Sequence, residues 1–578
     1  MTPSGPVTPS GPVAPSGSPS GRGQACRRAR IRPGAVNLVG QPSPERAEPR
    51  MPLDAVTRVP VPTGEPVRGH APGTPGRDRL ERRLDELAAG PVPLPMTIAG
   101  EQRFGGGERI DVVQPHHHAA RLGVLGNATH EDARLAVDAA LAAAPDWRAL
   151  PFDERAAVFL RAADLLAGPW RETLAAATVL GQSKTARQAE LDANCALADL
   201  WRSGVHTARR ILAEQPDSPR GTWRRTDHRP LDGFVYAVTR YDSTARAGYA
   251  PTAPALMGNT VVWKPAPAQT LAAHHLMRLL EAAGLPPGVV NLVTGDGRAL
   301  SQVALASPAL AGLHFTGATE TFHGLWTEIA AHLGRYRSRP RITGETGGKG
   351  FLLAHPSADP DLLRTALIRG AFAYQGQDRP AVARAHLPRT LWRRIRADLL
   401  AEVDALVVGD VTDLGTAMGA LIDGPAHRRC RAAIERAGHD PGVEVAAGGQ
   451  HDDAIGWFVR PTVLECAGGR SETFGSELPG PILAVQVYED ADWEAALHRV
   501  DADAPPAPTG SVLARDRYAT AQAVDRLRFA AAGLRVNDGP GGAGGGAGTA
   551  PDLLRWTSAR TVEETFAPPA GDSRTHPG

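Results

Sequence analysis

Between residues 234 and 345 short apolar runs alternate with helical patterns, and this alternation fixes the architecture. Residues 234–238, 260–264, 289–293 and 313–315 read as buried strands. Residues 271–283 read as an amphipathic helix stopped by Gly284-Leu285-Pro286-Pro287, and Gly295-Asp296-Gly297 opens another. Strand–helix units of this length build a parallel sheet with helices on both faces, because the crossovers are right-handed. Ligands of such sheets sit beyond the carboxyl ends of the strands. Lys264, Gly295 and Gly317 fall there.

A second α/β region follows from about residue 350 to 535. Its strand candidates include 443–447, 459–464, 482–487 and 510–514, with a helical run at 426–437. Upstream, residues 153–168 show the helical signal clearly: Asp153 as N-cap, an apolar stripe at Phe159, Ala162, Ala163 and Leu166, and Gly168-Pro169 as the stop. Two outlying stretches, 222–229 and 553–566, alternate like strands that serve an interface rather than a core.

Residues 1–50 have no such periodicity. Pro-Ser-Gly-Pro recurs at 9–12 after a first copy at 3–6, and a basic patch runs from Arg27 to Arg32. That composition buries too little apolar surface to offset its ordering entropy, so it reads as a disordered tail. Met51 opens ordinary sequence and is a second candidate start. The formal net charge of +1 gives no pull toward nucleic acid or an anionic membrane. No apolar run approaches the ~20 residues of a membrane span, and the start lacks an apolar signal core. Cys26, Cys195, Cys430 and Cys466 lie far apart, with neither a disulfide framework nor a metal-ligand spacing, which fits a cytoplasmic protein. Basic residues are almost all arginine. The remaining lysines, Lys184, Lys264 and Lys349, therefore invite a chemical role.

The stretches PTAPALMGNTVVWKPAP (251–267), LLEAAGLPPGVVNLVTGDG (279–297), GETGGKG (344–350), LRTALIRGAFAYQGQ (363–377) and LLRWTSART (553–561) identify the family. From about Asp54 to Pro569 the chain resembles the glutamate-semialdehyde (1-pyrroline-5-carboxylate) dehydrogenases of the aldehyde dehydrogenase superfamily. The resemblance implies an α/β fold with a Rossmann-like NAD-binding domain, a second α/β catalytic domain and an oligomerisation hairpin. On that basis the tail 1–50 precedes an N-terminal arm (51–99), an NAD-binding domain (100–345), a catalytic domain (346–535) and an oligomerisation tail (536–578). It further implies a homo-oligomer, or assembly with an active relative, and a small aldehyde as substrate.

The family oxidises its aldehyde through a cysteine thiolate, an oxyanion-holding amide, NAD and a general base. Carried over position by position, the cofactor groove is largely present. Lys264 in Trp263-Lys264-Pro265 stands where the family binds the adenosine ribose. Gly317 and Ala318 stand at the pyrophosphate turn FTGS, with the hydroxyl lost. Glu477 in Glu477-Leu478-Pro479-Gly480-Pro481 stands at the ExFGP glutamate, with Pro479 replacing the aromatic residue. The resemblance thus implies NAD, held more weakly. Glu345 matches the general base. The nucleophile does not survive: where the family has QGQKCSA this chain has Gln375-Gly376-Gln377-Asp378-Arg379-Pro380-Ala381. The oxyanion asparagine of PFNFTA is Asp242, and the loop that anchors the substrate's amino-acid end is a glycine run after Asp538.

Three readings follow. The first is an inactive or strongly impaired member of the family, with Asp242 and Arg379 joined as a bidentate ion pair that plugs the cavity. The second is a working NAD-dependent glutamate-semialdehyde dehydrogenase. The third is another reaction that uses Glu345, Asp242 and Arg379 as acid, base and anion clamp.

Overall fold

The parallel sheet forms with its strands at almost the expected places. In the computed structural model, which describes residues 55–467, 472–476, 480–502, 506–539 and 549–566, the first sheet runs Arg341–Glu345, Leu310–Thr316, Phe234–Thr239, Thr260–Pro265, Val290–Leu292, Met96–Ile98, Glu101–Arg103. The first five are mutually parallel; the last two add an antiparallel edge. Every residue of Thr260–Pro265 and Leu310–Thr316 is buried, as strands covered on both faces must be. The strand at 310–316 starts three residues before the expected 313 because Leu310 pairs with Phe234 and Gly312 with Val235 and Arg341, with a register shift at Ala311 between them.

A second sheet runs Val443–Ala447, Thr462–Cys466, Ile482–Tyr488, Val382–Pro388, Gly350–Ala354, Ala507–Leu513, Ala531–Val536. It is parallel except for its first pair. The expected strand 459–464 is two pieces: Phe458–Val459 pairs with His451–Asp452, and Thr462–Cys466 joins the main sheet. Pro461 has no N–H for a ladder, so the break falls beside it. The chain divides into two units, Met1–Ala55 and Val56–Gly578, and every element named belongs to the second. The tail reading for 1–50 lies outside the described residues.

One expected cap is corrected. The helix Phe152–Ala167 starts on Pro151, and Asp153 sits inside its first turn, where its charge meets the positive end of the helix and an ion pair with Arg209. Its stripe at Phe159, Ala162, Ala163 and Leu166 is buried, and Gly168 ends it. The helix Thr270–Ala282 takes up the expected 271–283 with Ala283 as its C-cap, and Gly424–His439 covers the expected 426–437.

The outlying stretches meet each other. Thr557–Thr565 pairs antiparallel with Thr222–Pro230 from Thr557↔Pro230 to Thr565↔Thr222. Arg224–Glu563, Arg225–Glu564 and Arg560–Asp227 bridge the strands on exposed surface, where each pair is worth at most ~1 kcal/mol. A two-stranded ribbon of this kind is marginal in water by itself. Among the described residues no helix is long and apolar enough to cross a membrane.

Candidate active site

The carboxyl ends of the first sheet's strands supply most of the site. Glu345 ends the strand Arg341–Glu345 and lies beside Thr316 in register. Asp242 lies in the turn after Phe234–Thr239, just before the helix Thr244–Leu256. Arg379 comes from the other side, on the segment between the helix Pro360–Phe372 and the strand Val382–Pro388 of the second sheet. The three positions singled out for catalysis therefore converge.

Their pairing differs from the expectation. Arg379 Nη2 donates to Glu345 Oε2, while Arg379 Nε stands 3.7 Å from Asp242 Oδ2. That is an ion-pair contact beyond hydrogen-bond length, and both of those atoms lack a hydrogen-bond partner. The bidentate Asp242–Arg379 bond is thus replaced by a three-membered array with Arg379 at its centre. The reason is reach: the guanidinium fork turns its outer edge to Glu345, leaving only Nε toward Asp242. The side chains of Arg379 and Asp242 are 8% and 2% exposed, that of Glu345 39%.

Electrostatics fix the protonation of both acids. Burial pushes the Asp242 carboxyl up, but Arg240, Arg379, Arg246 and Lys184 together hold it below the usual range. Burial acts likewise on Glu345, and Arg379, Arg246 and His314, with the Arg379 hydrogen bond, bring it below its ordinary value. Asp378 goes the other way: burial, helped by Asp242 and Asp192, raises it despite Arg246 and Lys184. Asp242 is accordingly an acceptor only, and Glu345 is a carboxylate already engaged by a cation.

The loop that presents position 379 is built with care. Tyr374, Gln375 and Gly376 are consecutively left-handed, with φ of 49°, 54° and 63°. Non-glycine residues in that region cost roughly 1 kcal/mol or more each and persist only where neighbours over-determine them. Here Gln375 Nε2 donates to the carbonyls of Ser183 (3.0 Å) and Ala420 (2.7 Å), and the Ile422 N–H donates to Gln377 Oε1 at 2.9 Å. A Cβ on Gly376 would meet the Gly480 carbonyl oxygen at 2.2 Å.

Residues the sequence reading did not assign hold the oxyanion segment. Glu190–Ala196 is a π-helical turn, a widening found often at functional sites, and it carries Asp192. That carboxylate accepts from Ser243 Oγ (2.5 Å), from the Thr244 N–H (2.9 Å) and from Lys184 Nζ (2.6 Å). Lys184 Nζ also donates to the Asp242 carbonyl at 2.7 Å and lies 4.4 Å over the Tyr374 ring. The survival of Lys184 in a chain of arginines was the available signal; the widened turn leaves none in the local pattern.

The three described thiols, Cys195, Cys430 and Cys466, are all buried. Burial pushes Cys195 up to about 11 and Cys430 up to about 12, which removes the thiolate at neutral pH.

Of the cofactor positions, Lys264 closes its strand and donates to the Gly295 carbonyl at 3.4 Å. Burial pushes its ammonium down to about 8, against the opposing charge of Asp296. Gly297 has φ 83°, and a Cβ there would lie 2.5 Å from Lys264 Cδ, so only glycine fits. The Gly317 N–H donates to the Glu345 carbonyl at 3.2 Å. Ala318 is the N-cap of the helix Thr319–Ala331 and gives it no side-chain cap, so the N–H groups of the helix's first turn, unlike that of Gly317, remain for an anion. These residues fit a ribose and a pyrophosphate. Glu477 and Pro479 lie outside the described residues, as does most of the glycine run after Asp538.

A family model for the aldehyde dehydrogenase family matches residues 103–546. The chain belongs to that family. Within it the chain falls in the 1-pyrroline-5-carboxylate dehydrogenase branch. It is 38% identical to the delta-1-pyrroline-5-carboxylate dehydrogenase of Agaricus bisporus, over 89% of this chain and 96% of that protein. It is 37% identical to the mitochondrial enzyme of Bos taurus, over 88% and 93%. Among solved structures, the delta-pyrroline-5-carboxylate dehydrogenase of Mycobacterium tuberculosis bound with NAD shares 56% identity at a TM-score of 0.87, covering 91% of this chain and 99% of that one.

Proposed function

We propose that this aldehyde dehydrogenase family member binds NAD but has lost the thioester-forming oxidation of glutamate semialdehyde that its relatives' names describe. The observation that carries the reading is the ion array in which Arg379, at the nucleophile position, engages Glu345, at the base position. A guanidinium stays protonated at any workable pH and has no electron pair to offer a carbonyl carbon. Loss of a covalent nucleophile costs other enzymes about 10⁶ in turnover. At the oxyanion position, ionised Asp242 repels the charge that an amide donor would stabilise, and loss of one such donor alone costs ~10²–10³. Glu345, held low and bonded to a cation, is a poor base for water.

NAD binding rests on Lys264, Gly317 and Ala318, with Glu477 proposed as the ribose partner of the nicotinamide half. NAD, when bound, would supply the hydride acceptor; this chain's residues would hold and orient it beside Glu345. The marginal ribbon 222–230/557–565 supports a homo-oligomer in which a second copy covers it, and the wide separation of the four cysteines along the chain supports a reducing, cytoplasmic setting. The test is steady-state NADH formation from 1-pyrroline-5-carboxylate and NAD, with an Asp242→Asn/Arg379→Cys variant measured beside the native chain. The native chain is expected to be silent. Turnover by it at a rate typical of NAD-dependent dehydrogenases overturns the proposal.

A further inference from the structure

Residues 56–70 contain no helix or strand, yet part of this arm is held by buried charge. The Glu65 carboxylate accepts from Arg171 Nη1 at 2.5 Å and from Arg202 Nη1 at 2.8 Å, and the Glu65 N–H donates to Asp199 Oδ1 at 2.7 Å. The Pro66 carbonyl accepts from Arg171 Nη2 at 2.8 Å, and the Arg68 N–H donates to Glu190 Oε1 at 2.8 Å. Arg171 also pairs with Glu190, so one guanidinium joins an acid of the arm to an acid of the body. The side chains of Arg171, Glu190 and Glu65 are 2%, 1% and 8% exposed. Burial pushes both carboxyls up, but Arg202 and Arg171 hold Glu65 below its ordinary value, and Arg171, Asn194 and the Arg68 N–H do the same for Glu190. Removing one partner would leave a buried charge uncompensated.

Glu190 opens the π-helical turn Glu190–Ala196. Residues two apart on a helix face away from each other, and the partners of Glu190 and Asp192 differ accordingly. Asp192 accepts from Ser243 Oγ, from the Thr244 N–H and, at 3.3 Å, from the Ala245 N–H. It also accepts from Lys184, which donates in turn to the Asp242 carbonyl. One turn therefore carries the arm's anchor and the anchor of the segment that presents Asp242. A π turn is a rare interruption of an α-helix, and here side-chain bonds pin it from both sides.

We infer that Arg171 and Glu190 are positioning residues of the candidate site: strapped to the arm through Glu65, they fix the π turn and, through Asp192, the place of residues 242–245. The arm is then part of the site's framework, although its sequence lies more than 170 residues upstream of Asp242.

The test is hydrogen exchange of the purified full chain, read by mass spectrometry with residue-level fragmentation. The N–H groups of Thr244 and Ala245 stand in the first turn of the helix Thr244–Leu256 and have no partner within it, so their protection reports the Asp192 bond. Rates are taken relative to the strand Gly350–Ala354 of the second sheet, so that a general loss of stability cancels. Glu65→Ala is expected to speed exchange at Thr244 and Ala245 at least tenfold, and the milder Glu65→Gln, which keeps one acceptor oxygen, to do so by less. Coupling at equilibrium is reciprocal, so Asp192→Ala is expected to speed exchange of the Arg68 N–H, whose acceptor is Glu190. Thr57→Val cuts the arm's hold on Asp153 and Arg209 and is expected to leave Thr244 and Ala245 unchanged. Unchanged relative rates at Thr244 and Ala245 in both Glu65 variants overturn the positioning role. So does an effect in one direction only, or a rise in Thr57→Val equal to that in Glu65→Ala. Exchange is read without NAD or aldehyde, so failure here leaves the inactive reading untouched, and aldehyde turnover by the native chain leaves the strap untouched.

Discussion

Replacing Arg379 by cysteine alone is expected to destabilise the protein before it does anything for catalysis. At 3.7 Å a charge pair is worth roughly 4 kcal/mol at the effective dielectric of a protein interior. Arg240, Arg246 and Lys184 still face Asp242 after the change, so about half of that, ~2 kcal/mol, is lost at a buried carboxylate left short of a partner. Glu345 is 39% exposed and solvent replaces most of its bond, adding at most ~1 kcal/mol. The sum is about 2–3 kcal/mol. Asp242→Asn is expected to cost about 1–2 kcal/mol, and the pair together less than the two combined by roughly 1–2 kcal/mol, because the amide no longer needs a cation. Urea unfolding of the four proteins, read in the first transition by tryptophan fluorescence, measures the cycle. Asp242 also predicts the acid limb. Its pKa is lower folded than unfolded, so its contribution is present above the unfolded value near 4 and is lost as pH falls further; Asp242→Asn flattens that loss. Additivity of the two substitutions within ~0.5 kcal/mol would refute the idea that these groups form one array.

Other consequences are open to direct measurement. Lys264, pushed down to about 8, loses its charge as pH rises through that value, so NAD affinity by calorimetry is expected to fall there in the native chain and to be flat in Lys264→Met. The sign for stability is the reverse: a lysine lowered by burial destabilises below its folded pKa, and that penalty is relieved between about 8 and 10.4. Gly376→Ala forces a Cβ against the Gly480 carbonyl at a left-handed position and is expected to cost about 2 kcal/mol or more in the same unfolding assay. The thiols of Cys195 and Cys430 are expected to resist a disulfide reagent at pH 8 until denaturant is added, since both are buried and raised.

How far the sequence reveals these features depends on whether their cause is local. Strands such as Thr260–Pro265 and Phe234–Thr239 are apolar runs closed by turn residues, so their positions follow from pattern alone. The convergence of Asp242, Glu345 and Arg379 was legible through the family's motifs, because each sits at a strand end or in the loop that the sheet order brings there. Which acid takes the guanidinium was not legible, since it turns on how one side chain is aimed between two carboxylates brought together from separate parts of the first sheet. The left-handed run Tyr374-Gln375-Gly376 was equally hidden. Tyrosine and glutamine do not favour that backbone, and only the distant carbonyls of Ser183 and Ala420 make it tenable. Asp192 escaped for the same reason: two of its partners, Ser243 and Thr244, lie some fifty residues away, across a widened helical turn. The ribbon's two halves were each legible as strands, but not their pairing, which joins residues 222–230 to 557–565.

The proposal that position 379 performs no covalent chemistry is tested most directly in a single turnover. Native protein, at tens of micromolar, is mixed rapidly with saturating NAD and 1-pyrroline-5-carboxylate while absorbance at the NADH band is followed over seconds. A flat trace is the predicted result; a burst approaching one NADH per subunit would mean that some residue of this chain forms the adduct that releases hydride.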